Sequence, residues 1–168
     1  MNIKHSNKTI ITAEPGQREI LITREFDADR EKVFRLFTEP ALFVEWISPR
    51  EVMTTLDTFD AVNGGSFHYE QSDANGNTSG SHGVFHLVDE PDCIIQTYES
   101  ENNERGQVQL DTLRFEKISG KKTRVTSQSI FQSVADRDTM INSGRARGVI
   151  ESHERMDELL VAKRATSH

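Results

Sequence analysis

The sequence has a single cysteine, Cys93, among its 168 residues. An internal disulfide is therefore excluded, which agrees with a reducing compartment. Residues 1–15 contain no continuous apolar stretch of the kind found in secretory signals, so we expect a cytoplasmic protein. No apolar run approaches the roughly 18 residues that a membrane-spanning helix needs, and we expect no integral membrane association.

A surplus of positive charge is also missing, because 20 Lys and Arg residues stand against 27 Asp and Glu residues. Nucleic acids and anionic membranes are bound mainly through basic patches, so the net charge of -7 leads us to expect no nucleic-acid partner. A chain of this length fits one domain that can bury a real core and enclose a cavity.

Motifs for catalysis and metal binding are absent as well. There is no Gly-x-Ser-x-Gly elbow and no phosphate-binding glycine loop, and Cys93 has no neighbouring basic residue to activate its thiol. His68, His82 and His86 lie in strand-like segments without a Cys-x-x-Cys or His-Glu-x-x-His pattern to accompany them. We predict no catalytic residue, no metal and no cofactor.

Alternation of apolar and polar residues dominates the sequence from residue 18 to residue 133. The first run places Ile20, Ile22, Arg24 and Phe26 on one side of a strand. Later runs are separated by turn-forming segments such as Asn63-Gly64-Gly65, where glycine permits backbone angles that other residues disfavour. The pattern predicts strands over 18–26, 52–61, 66–72, 80–88, 93–100, 107–118 and 122–133.

Helical spacing occurs in three places. Acidic residues precede a predicted helix over 29–38, and a proline at a first helical position predicts a second short helix over 40–49. The spacing from 138 to about 163 predicts one long helix. Gly144 and Gly148 are unfavourable inside a helix, so we expect them to mark a bend or a close approach.

This order of elements predicts an α+β fold of the helix-grip type. A curved antiparallel sheet of about seven strands would surround a long C-terminal helix, with two short helices after the first strand. We expect residues 1–17 to be a flexible segment and residues 18–165 to form a single domain. An exposed edge strand of such a sheet offers a surface for a homodimer.

Several segments carry a family resemblance in the right order. They are Arg24-Glu25-Phe26-Asp27-Ala28, Trp46, Phe59-Asp60 with Gly64-Gly65, Ile95-Gln96-Thr97-Tyr98, and residues 144–160. Over residues 18–163 the chain resembles the family related to the activator of heat-shock protein 90 ATPase, within the START-like or SRPBCC superfamily. The resemblance implies a helix-grip fold with a hydrophobic cavity.

The chain departs from that family in three respects. Trp46-Ile47 stands where two tryptophans are often found, and Val149 stands where a tryptophan is common, which implies a reshaped cavity mouth. The heat-shock activators themselves carry a further N-terminal domain that docks on the chaperone. Only residues 1–17 precede the predicted domain here, so we do not expect a chaperone contact.

The predicted closing helix presents an unusual face toward the cavity. Arg145 and His153 share its N-terminal half, and polar groups that face an interior need protein partners or a ligand. Arg24, on the inward side of the first strand, would pair with an acidic residue at the rim or with a ligand carboxylate. The candidate ligand-binding residues are Trp46, Phe67, Tyr69, Arg145, Val149, His153, Met156 and Arg24.

These observations favour binding of a hydrophobic small molecule, such as a lipid, a fatty acid or an aromatic polyketide, between the sheet and the closing helix. Two alternatives stay open at this point. One is an enzyme of the cyclase or hydrolase type that uses the same cavity. The other is a module that interacts with the heat-shock chaperone.

Overall fold

The computed structural model describes residues 7–166, with side chains from 7 to 145 and from 147 to 162. Its central element is one antiparallel sheet with the strand order β1-β2-β8-β7-β6-β5-β4-β3. The strands are β1 Ile10–Thr12, β2 Glu19–Phe26, β3 Met53–Phe59, β4 Ser66–Ser72, β5 Thr78–Asp89, β6 Cys93–Ser100, β7 Val108–Ser119 and β8 Lys122–Ile130. The helices are α1 Arg30–Thr38, α2 Pro40–Ile47, α3 Val134–Asn142 and α4 Arg145–Thr166.

The α+β helix-grip prediction is confirmed, with one more strand than the predicted seven. Strand β1 lies within the segment that we expected to be flexible, and it pairs with β2 so that Ile11 stands opposite Ile22. Three residues are too few to show an alternating pattern, which is why the sequence did not reveal this strand. Residues 1–6 of the same segment lie outside the described residues.

The two short helices form where the sequence predicted them. Glu39 ends α1 and also precedes α2, whose first residue is Pro40. A proline is favourable there because the first helical amide has no partner within the helix. The Trp46 indole donates a hydrogen bond to the carbonyl of Leu36 at 2.6 Å and thereby joins the two helices. No described helix is both long enough and apolar enough to cross a membrane.

The helix predicted over 138 to about 163 is divided into two helices, α3 and the long α4, and the break falls at Gly144, one of the two glycines expected to mark a bend. Helix α3 begins after Ser133, whose hydroxyl accepts a hydrogen bond from the Asp136 amide at 3.0 Å. The chain then breaks at Gly144, where φ is +81°. Residues with a side chain disfavour this left-handed conformation, so Gly144 both stops α3 and redirects the chain into α4.

Aromatic side chains fill the interior at the end of the sheet that α1 and α2 cover. The ring centroids of Phe34 and Phe115 are 4.9 Å apart, and those of Phe43 and Phe59 are 4.7 Å apart. Gly83 belongs to this packing, since a Cβ there would lie 2.6 Å from a ring carbon of Phe67. This end of the domain is a solid core, and space for a ligand must be sought elsewhere.

Candidate functional site

The inner face of the sheet changes character beneath the first half of α4. The first half of α4 extends from Arg145, which contacts Ser100 of β6, to His153, which contacts Phe26 of β2. Between these points the inward-facing residues are mostly polar, and several of them are only half-buried although a helix lies above them. We call this region the hollow; its inward-facing residues are Ile22, Gln96, Tyr98, Gln109, Asp111, Ser127 and Ser129.

The register of the strands brings these residues together. Gln96 of β6 stands opposite Asp111 of β7, and Asp111 in turn stands opposite Ser129 of β8. Tyr98 stands opposite Gln109 one step along the same pair of strands. Residues directly opposite in neighbouring strands have their side chains on the same face within contact distance. The floor of the hollow is therefore a continuous polar surface across three central strands.

A pocket of about 60 Å³ lies at one end of the hollow, where α3 and the start of α4 meet the loop between β6 and β7. This volume is well below the roughly 300 Å³ of a typical ligand pocket. A drug-sized ligand could enter only if α3 or the loop moved. The lining includes Tyr98, Ser100, Gln109, Phe131, Met140 and Arg145.

Arg145 is the cation of this pocket. Its Nη2 donates a hydrogen bond to the hydroxyl of Ser100 at 3.0 Å, and its Nη1 lies 3.8 Å from the sulfur of Met140. Within the described part of the chain, no carboxylate forms an ion pair with Arg145. A guanidinium held by neutral partners keeps donors available for an anionic or carbonyl group.

Hydroxyl groups continue the polar surface beyond the pocket. The hydroxyls of Ser81 and Tyr98 are 2.8 Å apart. Tyr69 interacts with both residues, and its burial, followed by the effect of Tyr98, raises the pKa of its phenol. Tyr69 therefore stays protonated throughout the physiological pH range. It is a hydrogen-bonding group of the interior and does not provide a base.

The predicted site residues fall into separate parts of the structure. Arg145 lines the pocket, and Val149 is half-buried on α4 one turn further along. The three aromatic candidates and the methionine are buried in the core, where they pack against neighbouring side chains; they are Trp46, Phe67, Tyr69 and Met156. The structure thus brings together only a part of the predicted set.

Arg24 and His153 are both engaged with protein groups. Arg24 forms an ion pair with Asp157 of α4. The His153 Nδ1 lies 2.8 Å from the Thr9 hydroxyl, and its ring meets the edge of Phe26. Burial and, after it, the nearby charge of Arg24 lower the pKa of His153 to about 4. His153 is therefore neutral at physiological pH.

Gln96, Tyr98, Gln109 and Asp111 were not among the predicted site residues. A signal for them was present in the sequence, because the alternation that turns Ile94 and Leu113 inward also turns these polar residues inward. Polar residues at inward positions are costly unless they have partners. Which of them meet across strands depends on the register, which alternation within one strand does not specify.

A second group of titratable residues lies on the outer face of the sheet. The Glu101 carboxylate bridges two imidazoles, 3.1 Å from Nε2 of His68 and 3.3 Å from Nδ1 of His82. The hydrogen bond that His68 donates to Glu101, and then the one that it donates to Asp57, raises the pKa of His68. Throughout the described residues, no group of three or more His, Cys, Asp or Glu is arranged to hold a metal ion.

The sequence model of one protein family, described as Activator of Hsp90 ATPase homolog 1-like protein, matches residues 27–161 of the chain. The match covers the helices α1 and α2, the sheet from β3 to β8, and the closing helices. The chain belongs to this family. The resemblance seen in the sequence is thereby confirmed, and the fold of the family supports a ligand-binding domain in general.

Solved structures of other proteins share the fold of this member of the Activator of Hsp90 ATPase homolog 1-like family. A crystal structure of a Rhodobacter sphaeroides protein is similar with a TM-score of 0.83 at 24% identity, covering 92% of this chain and 99% of that one. A solution structure of an Arthrobacter aurescens protein has a TM-score of 0.82 at 23% identity, covering 91% of each chain. A Staphylococcus epidermidis protein is 29% identical with a TM-score of 0.77, covering 90% and 94%. No curated protein matches the sequence.

Proposed function

We propose that this protein binds a small hydrophobic acid, such as a fatty acid or an aromatic polyketide-like acid, in the hollow between the sheet and α4. The observation that carries the proposal is the exposure of side chains that face inward. Gln96, Tyr98 and Gln109 lie on the inner face of the sheet and remain half-buried, whereas Ile94 and Phe115 on the same face are buried. A covered surface that is not filled by protein has room for a ligand.

The polar groups at the pocket indicate the chemistry of the head group. Arg145 and the Ser100 hydroxyl offer hydrogen-bond donors there. A carboxylate or a carbonyl oxygen satisfies such donors, and a guanidinium binds a carboxylate with particular strength. The acid group of the ligand is therefore assigned to Arg145.

Apolar side chains at the pocket and on the floor of the hollow would contact the apolar part of the ligand. Phe131 and Met140 line the pocket, and Ile22 is a half-buried apolar residue on the floor of the hollow. Methionine adapts its shape readily to different apolar groups. This combination of an apolar wall with a few oriented polar groups is typical of small-molecule sites.

Such a ligand can enter only if a wall of the pocket moves. The break at Gly144 indicates that the wall formed by α3 is the one that moves. Helix α3 forms one wall of the pocket through Thr139 and Met140 and joins α4 only through Ser143 and Gly144. A short connection with a glycine of positive φ can absorb a change of backbone angles. Displacement of α3 would widen the pocket at this end of the hollow.

The test is a titration of the protein with dodecanoate and with naphthalene carboxylate, followed by calorimetry. Arg145→Met should weaken binding of both acids about tenfold, since a charge-assisted hydrogen bond is lost. Arg147→Met is the matched control, because it removes the same charge from an exposed position two residues away on the same helix. Its affinity should equal that of the wild-type protein.

Two results would count against the proposal. They are an absence of binding to the wild-type protein, and an equal loss of affinity in the Arg145 and Arg147 variants, which would indicate a nonspecific effect of charge. Mass spectrometry of the recovered acids completes the test, since chemical conversion of a bound acid would assign an enzyme in place of a binding protein.

A further inference from the structure

Asp111 is a buried acid at the centre of the sheet. It lies on β7, between β6 and β8, and is 8% exposed. The hydroxyl of Ser129 donates a hydrogen bond to Asp111 Oδ1 at 2.7 Å, and the amide of Gln109 donates to the same oxygen at 2.9 Å. Neither of these hydrogen bonds uses Oδ2. Across the described residues, no cationic side chain forms an ion pair with Asp111.

A role in stabilising the fold does not explain why an acidic residue occupies this buried position. A buried carboxylate without a cationic partner is unfavourable, and apolar residues of similar size commonly stabilise such positions at least as well. Burial raises the pKa of Asp111, and the hydrogen bonds from Ser129, Gln109 and Gln96 oppose the rise only in part. The carboxyl is thus held by three neutral hydrogen-bond donors, one fewer than the roughly four that its two oxygens can accept.

Gln109 connects this acid to the proposed ligand site. The Gln109 side chain lines the pocket that also contains Arg145, and its amide nitrogen donates to Asp111. Asp111 also stands opposite Gln96, which is half-buried on the floor of the hollow. A ligand that extends from Arg145 along the floor of the hollow therefore reaches Asp111 after Gln109.

We propose that Asp111 accepts a hydrogen bond from a hydroxyl group of the ligand, so that the ligand is a hydroxylated hydrophobic acid. Its acid group is held by Arg145 at the pocket, and its hydroxyl group is held by Asp111 at the floor. The inference rests on the proposed function and adds a second point of recognition to it. Selection between related apolar acids would then depend on the hydroxyl group.

The experiment compares three ligands that differ at one position. They are naphthalene carboxylate, its derivative with a hydroxyl on the ring remote from the carboxylate, and the methyl ether of that derivative. The hydroxyl compound should bind the wild-type protein about tenfold more tightly than the other two, because only it can donate to a buried carboxylate. The methyl ether separates hydrogen-bond donation from size and polarity.

Two variants assign the effect to Asp111. Asp111→Asn replaces one oxygen by an amide nitrogen at almost constant shape, so the tenfold preference for the hydroxyl compound should disappear or pass to the methyl ether. Glu116→Gln makes the same carboxyl-to-amide change at an exposed, outward-facing position of the same strand, and the preference should survive. Thermal unfolding of both variants tests whether they are folded, and each should show a cooperative transition as the wild-type protein does.

The outcomes separate this inference from the proposed function. If all three acids bind and the hydroxyl group adds nothing, or if its effect survives in Asp111→Asn, the role of Asp111 is overturned while the binding function stands. If none of the acids binds the wild-type protein, both proposals fail.

Discussion

Arg24 of β2 and Asp157 of α4 form a two-point ion pair that joins the sheet to the closing helix. Nη2 of Arg24 lies 2.6 Å from Oδ2 of Asp157, and Nη1 lies 3.1 Å from Oδ1. The arginine side chain is only 5% exposed, whereas the aspartate is 40% exposed. The guanidinium also lies 4.9 Å from the ring centre of Phe26. The buried cation therefore depends on Asp157 for its compensating charge.

Asp157→Ala should lower the free energy of unfolding by about 2 to 3 kcal/mol, because it leaves a buried cation unpaired while the partial exposure of Asp157 moderates the effect. Glu158→Ala is the control on the next residue, since Glu158 pairs with Arg50 where both side chains are more than half exposed. It should change stability by less than about 0.5 kcal/mol. Urea unfolding measures both; equal effects would contradict the argument.

The pKa of about 4 for His153 predicts a loss of stability in acid. Because this folded-state pKa is below the ordinary value of 6.5, the stabilising contribution is fully present above pH 6.5 and is lost as the pH falls toward 4. The loss should reach about 2 to 3 kcal/mol. His153→Gln should show a flatter stability profile across this range. A profile as steep as that of the wild-type protein would refute the assignment.

His68 predicts a pH dependence of opposite sign. Its pKa is raised by Glu101 and then by Asp57, so its stabilising contribution is present below pH 6.5 and is lost as the pH rises through the folded-state pKa. Glu101→Gln should move the pKa of His68 back toward its ordinary value, as followed by NMR titration of the imidazole protons. A titration unchanged by this substitution would show that Glu101 is not the cause.

Gly144 and Gly148 form a matched pair for testing the break between α3 and α4. Gly144→Ala should destabilise the protein by about 1 to 2 kcal/mol, because alanine disfavours the φ of +81° found there. Gly148→Ala should stabilise it by up to about 1 kcal/mol, since the position is helical and a Cβ there would meet no atom within 4 Å. Thermal unfolding distinguishes the two. A change of the same sign in both variants would exclude a special role for Gly144.

The ligand-binding argument depends on polar side chains whose partners could not be inferred along the chain. Alternation showed that Asp111 and Ser129 each face one side of a strand, but it did not show that the two residues are neighbours. Their contact at 2.7 Å follows from the register between β7 and β8. A shift of the register by two residues would preserve the same alternation and would give Asp111 a different partner.

The sequence by itself determined the class of fold and the position of most elements, because the spacing of apolar residues and the effects of proline and glycine on the backbone act within a few residues. Pro40 at the start of α2 is one example of such a local effect. Only the tertiary structure decided that Trp46 and Met156 belong to the packed core, that Arg24 pairs with Asp157, and that polar residues line the hollow. These outcomes depend on contacts between segments far apart in the chain, whose packing and mutual distances no local pattern specifies.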